Sequence, residues 1–156
     1  MVDCIPPNAF SFDSPFRLVD FQGHVLNLAN GVNPVISQTK STNGSMEEQW
    51  VLQQSGLGGP GGELLVSALP GFPTVAYDFN LSPNPGPLSM QAISGDGTTT
   101  FFQINCLDST RANFIDVVSS LALTAWAAES GSTISPVTFE TFTNRSQQVW
   151  SFEALD

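Results

Sequence analysis

Trp150-Ser151-Phe152-Glu153 opens with a large aromatic, skips one residue, places a second large apolar side chain and ends on a polar one. The same order stands at Trp50-Val51-Leu52-Gln53 and at Phe102-Gln103-Ile104-Asn105. The leading aromatics recur at intervals of 52 and 48 residues. A second marker keeps the same period. Pro34-Val35-Ile36-Ser37-Gln38-Thr39, Pro87-Leu88-Ser89-Met90-Gln91-Ala92 and Pro136-Val137-Thr138-Phe139-Glu140-Thr141 each begin with proline and an aliphatic residue and carry Gln or Glu fifth. Their prolines lie 53 and 49 residues apart. Two markers on one period define an internal repeat of about 50 residues, present three times.

Working outward, each copy holds two further strand candidates upstream. These are Phe16–Val19 with Val25–Leu28, Leu64–Ser67 with Val75–Phe79, and Phe114–Val117 with Leu121–Ala125. They combine β-formers with short alternation and are separated by Gly, Pro, Asn and Ser. Ser120–Glu129 dissents, because its alanines and the Gly131 beyond them suit a short capped helix, but the repeat makes part of it a strand. One unit of four short strands has too little apolar surface to offset its ordering entropy. Three units around an axis pool their large residues and leave no exposed sheet edge. The expectation is one all-β domain over 1–156, a β-trefoil with repeats of roughly 10–56, 62–108 and 109–156. Its shared core is predicted to hold Trp50, Phe102 and Trp150 with Leu52, Ile104 and Phe152.

Composition fits this reading. Charged residues are 12% of the chain, about half the usual share, so the surface is built from Ser, Thr, Asn, Gln and Gly. Arg17, Lys40, Arg111 and Arg145 face 14 acidic residues, for a net charge of −10. That balance repels nucleic acid and anionic membrane. The start, Met1-Val2-Asp3-Cys4, has no basic stretch followed by an apolar one, so a cytoplasmic location is expected. Cys4 and Cys106 are then expected to be free thiols, Cys106 in the core and Cys4 in a loose terminus. Three sequons, at Asn43, Asn80 and Asn144, read as surface turns without glycan. The glycine-rich 57–62 stretch is a joint between copies, since it lacks the Lys-Ser/Thr ending of a phosphate loop.

Gln148-Val149-Trp150 resembles the Gln-x-Trp signature of the ricin B-type β-trefoil lectins. Glu48-Gln49-Trp50 is a near match, and Thr100-Phe101-Phe102 departs from it. The resemblance runs from about Phe10 to Leu155. Within it, the acidic, cysteine-poor character is similar to fungal members, among them the lectin-like light subunits of mushroom tyrosinases and mushroom mannose-binding lectins. It implies binding of a glycan of mannose type, or docking on a larger, tyrosinase-like partner enzyme, without catalysis or a cofactor.

In that family an Asp at the end of the second strand accepts sugar hydroxyls, an aromatic one strand later stacks on the sugar, and an Asn precedes Gln-x-Trp. A pyranose offers a C–H face and a hydroxyl rim, which suit a ring and planar acceptors. By this resemblance the three places read Asn27, Gln38 and Glu47 in copy one, Asp78, Gln91 and Thr99 in copy two, and Thr124, Glu140 and Gln147 in copy three. No copy keeps the aromatic. An altered site is expected from Asn27, Gln38, Tyr77, Asp78 and Asn80, against the plainer reading of Asn27 and Asp78 as turn formers. His24, the chain's single histidine, follows Gly23 and reads as a turn residue, not half of a catalytic pair. Metal binding lacks a His/Cys cluster. Trp126 reads either as an exposed anchor or, as an aromatic in an apolar run more often is, as core. The proline-rich loop Ser82–Pro87 is stiff enough to enter a protease cleft, which keeps an inhibitor as a third reading.

Overall fold

The computed structural model describes residues 3–31, 34–54, 62–77, 88–93 and 100–155. Twelve strands are found there. They are β1 (Phe16–Val19), β2 (Val25–Leu28), β3 (Val35–Gln38), β4 (Trp50–Gln54), β5 (Glu63–Ser67), β6 (Thr74–Tyr77), β7 (Leu88–Ile93), β8 (Phe102–Cys106), β9 (Arg111–Asp116), β10 (Leu121–Ala125), β11 (Ile134–Thr141) and β12 (Trp150–Ala154). All pairings are antiparallel. β1, β4, β5, β8, β9 and β12 close into a ring, each hydrogen-bonded to the next and β12 back to β1. The remaining strands form three hairpins, β2–β3, β6–β7 and β10–β11. β11 joins the hairpins by pairing with both β3 and β7. A six-strand barrel capped by three hairpins is the β-trefoil expected from the repeat.

Alternation places the core. Phe16 and Leu18 of β1 are buried while Arg17 and Val19 between them are half-buried, the period-two pattern of a strand with one face inward. Trp50, Leu52, Leu65, Phe102, Phe114, Trp150 and Phe152 fill the centre, and Ile104 packs against them partly buried. Phe16–Phe152, Phe102–Phe114 and Phe102–Phe139 meet edge to face at 5.1–5.8 Å, the arrangement that ring quadrupoles favour. The repeated tryptophans also tie barrel to cap. The Trp50 indole N–H donates to the Leu26 carbonyl at 2.9 Å, and that of Trp150 to Leu123 at 3.0 Å. Phe102 has no donor for the matching bond in copy two.

The Ser120–Glu129 stretch resolves as the repeat predicts, with β10 over Leu121–Ala125. Two expectations are corrected. Trp126 lies just past that strand and is 43% exposed, because the buried run 122–125 has ended. Cys4 and Cys106 are not free thiols but a disulfide, with Cα atoms 5.5 Å apart. The amino-terminal arm is not loose: Cys4 and Ala9 are buried, and the Ala9 carbonyl accepts the Leu52 N–H at 2.8 Å. That docking brings Cys4 to the end of β8. Cys106 is correspondingly only half-buried, at the rim of the barrel and not in its core.

Candidate functional site

The three copies can be superposed by register. Val19 pairs Val25, Val66 pairs Thr74 and Ile115 pairs Ala122 at the same step. Counting on two residues, Asn27 and Thr124 are level with Ala76, not with Asp78. Across each hairpin, Gln38 faces Val25 and Glu140 faces Ala122, while Ile93 faces Thr74. Copy two is therefore offset by two residues from the alignment expected from its proline. Asp78, Asn80, Thr99, the side chains of Tyr77 and Gln91, the glycine-rich joint and the Ser82–Pro87 loop lie outside the described residues.

In copy one the expected places are taken up by the fold. Asn27 is buried and Gln38 half-buried between β2 and β11. The Glu47 carboxylate is engaged by the Ser45 hydroxyl at the start of a short turn of 3₁₀ helix. His24 closes the β1–β2 turn, donating its backbone N–H to Asp20 at 2.9 Å and accepting from the Asp20 N–H at 2.8 Å.

Copy three brings its residues together. Thr124, Trp126, Glu140, Arg145 and Gln147, with Ala125 and Ala127, line one open depression of about 330 Å³. All three places expected from the resemblance are in it. Thr124 is fully buried, its hydroxyl donating to the Ala122 carbonyl at 2.8 Å and accepting from Gln148 at 3.2 Å, so it is part of the floor. The signature glutamine, Gln148, is buried too. It donates to the Thr141 carbonyl at 2.8 Å and accepts the Thr143 N–H at 2.9 Å, which fixes the loop leading from β11 to the depression.

The rim carries the polar and aromatic side chains. The Trp126 indole N–H donates to the Thr138 hydroxyl at 2.8 Å, and that hydroxyl donates onward to Glu140 at 2.8 Å. Arg145 holds the other Glu140 oxygen at 2.5 Å. An aromatic face, a carboxylate, a guanidinium and the Gln147 amide thus border one hollow, with the ring and the carboxylate linked through Thr138. The sequence reading missed Arg145 and ranked an exposed Trp126 below a core one. Its signal for Trp126 was available, since Ala127-Ala128-Glu129-Ser130-Gly131 marks the end of the strand pattern directly after it.

No protein-family model and no curated protein sequence matches the chain. Among solved structures it is similar to a designed threefold-symmetric protein, ThreeFoil, with a TM-score of 0.74 at 20% identity over 90% of this chain and 99% of that one. It is also similar to the ricin B-like lectin of Macrolepiota procera in complex with lactose (TM-score 0.68, 14% identity, 89% and 94% covered). An exo-β-1,3-galactanase from Clostridium thermocellum matches with a TM-score of 0.71 at 15% identity, over 91% of this chain but 30% of the enzyme. The fold is a β-trefoil, a scaffold that also occurs within larger proteins.

Proposed function

We propose that this chain is a non-enzymatic glycan-binding protein whose site is the copy-three depression. One observation carries the reading: the half-exposed Trp126 ring borders the same hollow as Glu140, Arg145 and Gln147. The ring supplies the stacking face that the β11 position lacks, and the polar side chains supply donors and acceptors for the hydroxyl rim. Glu140 and Arg145 neutralise one another, so the ligand is a neutral sugar. Lactose, carried by the Macrolepiota lectin, and a mannose-type glycan, implied by the sequence resemblance, are the probes of choice. On a broad glycan array the wild type is expected to bind, and Trp126→Ala to weaken that binding at least tenfold, about 1.4 kcal/mol. Its melting temperature is expected to stay unchanged, since Trp126 is outside the core. A wild type silent on the array, or a variant that binds equally well, overturns the assignment.

A second reading has its own observation. Phe12 and Phe72 are 45% and 52% exposed and meet at 4.6 Å between ring centroids, an apolar pair suited to a protein partner. Together with the galactanase module, it supports docking on a larger enzyme, tyrosinase-like by the sequence resemblance. Migration of the protein from fresh extract as a free monomer removes it. The Cys4–Cys106 bridge supports an oxidising compartment over the cytoplasm, because cytosolic thiol pools keep such pairs reduced. Thiol counting on protein trapped directly from cells distinguishes the two locations.

A further inference from the structure

One turn device recurs in all three copies. A side-chain oxygen at the end of the first strand accepts the N–H two residues on: Asp20 from Gln22 at 2.9 Å, Ser67 from Leu69 at 3.1 Å, Asp116 from Val118 at 3.2 Å. The turn is thus closed by the first residue's side chain and the third residue's N–H, and the side chain at the third position is free for other work. Leu69 packs against the core and Val118 is 80% exposed. Gln22 does something its counterparts have no chemistry for.

The Gln22 carboxamide reaches out of copy one into copy three. Its nitrogen lies 2.8 Å from Asp20 Oδ2, 3.0 Å from the Trp126 carbonyl and 3.2 Å from Ser135 Oγ. Its oxygen accepts the Ala128 N–H at 2.9 Å. The hairpin ladder continues to the Trp126 N–H, which donates to the Pro136 carbonyl at 3.0 Å. Beyond it the chain is held by a side chain from another copy. Trp126 is therefore tied at both ends, its ring to Thr138 of β11 and its backbone to Gln22.

We propose that Gln22 is a positioning residue for the copy-three depression: its carboxamide, aimed by Asp20, splints 126–128 and holds the Trp126 ring at the rim. The consequence for sugar affinity rests on the glycan reading above; the splint itself does not. Trp50 and Trp150 are fully buried, so acrylamide quenching of the intrinsic fluorescence reports Trp126. Gln22→Met keeps the length and removes every side-chain hydrogen bond; Gln22→Glu replaces the donor to Asp20 and the Trp126 carbonyl by a carboxylate oxygen. The expected result for Gln22→Met is a raised quenching constant and Ala128 amide exchange faster by roughly tenfold, the factor that losing about one hydrogen bond gives. Affinity for lactose or methyl α-mannoside, whichever the wild type binds, is expected to fall roughly threefold to tenfold as preorganisation is lost. Gln22→Glu should likewise loosen 126–128, because its carboxylate is repelled by Asp20 and the Trp126 carbonyl where the amide donated; the Gln22→Met melting temperature is expected to stay near that of the wild type. Quenching and exchange equal to the wild type overturn the proposal, and so does unchanged sugar affinity once Trp126 has loosened. A wild type that binds neither sugar defeats the glycan reading alone, because fluorescence and exchange still decide the splint.

Discussion

Glu48 and Gln148 occupy the same place in copies one and three, and their neighbours differ accordingly. Both receive the N–H of the residue three beyond the hairpin glutamine or glutamate, Ser41 to Glu48 at 3.1 Å and Thr143 to Gln148 at 2.9 Å. Gln148 also donates to the Thr141 carbonyl, which a carboxylate has no hydrogen to do. Glu48 is 1% exposed and meets the guanidinium of Arg17 at 2.9 Å instead, where copy three has Asn113. Removing one partner of a buried pair leaves an uncompensated charge, so Arg17→Ala is expected to cost about 3–5 kcal/mol in urea unfolding. Adding Glu48→Gln should restore more than half of that, because the amide needs no counter-ion; equal loss in single and double variants would contradict it. Asp108 is the second case. The Thr110 N–H, then the Arg111 side chain, hold its carboxyl at about 2, below the ordinary 3.8. A folded value under the unfolded one means the stabilising share is present above 3.8 and disappears as pH falls through about 2. Carboxyl NMR titration should find that midpoint, and Asp108→Asn should flatten the stability profile across the same window.

At the scale of elements, the strands were legible and their registers were not always so. β1, β2 and β10 match the expected bounds, because alternation and flanking turn residues act locally. The copy-two offset arose because the proline marker measures chain length, while register depends on turns. The turn from Ser67 to Thr74 is two residues longer than that from Asp20 to Val25, so Met90 and not Leu88 stands level with Val35. The disulfide was invisible for a related reason. Cys4 and Cys106 are separated by 102 residues, and the contact exists because Ala9 seats the arm against β4. A bridge closing so long a loop restricts the unfolded chain strongly. Cys4→Ala is expected to lower the unfolding free energy by about 2–5 kcal/mol and to abolish any effect of reductant on the urea midpoint. A wild-type midpoint indifferent to reductant would mean that the bridge contributes nothing.

At the scale of the molecule, the core obeys the threefold repeat and the site does not. Leu18, Leu65 and Phe114 hold one core place in the three copies and Trp50, Phe102 and Trp150 another, because burial demands apolar side chains wherever the pattern recurs. That is why a sequence period sufficed to name the fold. Among the described residues the depression has no such redundancy. Its ring sits at Trp126, a position occupied in copy one by Ala29 in a turn of 3₁₀ helix, and its support comes from Gln22 across a copy boundary. No period could announce residues that occur once. The asymmetry has a measurable consequence for valence. Among the described residues, the Glu47 carboxylate of copy one is taken up by Ser45, and Ala76 of copy two stands level with Asn27 without a polar group. Calorimetric titration with a bound sugar is therefore expected to give one ligand per chain. A stoichiometry of three would show that the pockets follow the symmetry of the core, and Trp126→Ala would then remove one ligand of the three instead of all binding.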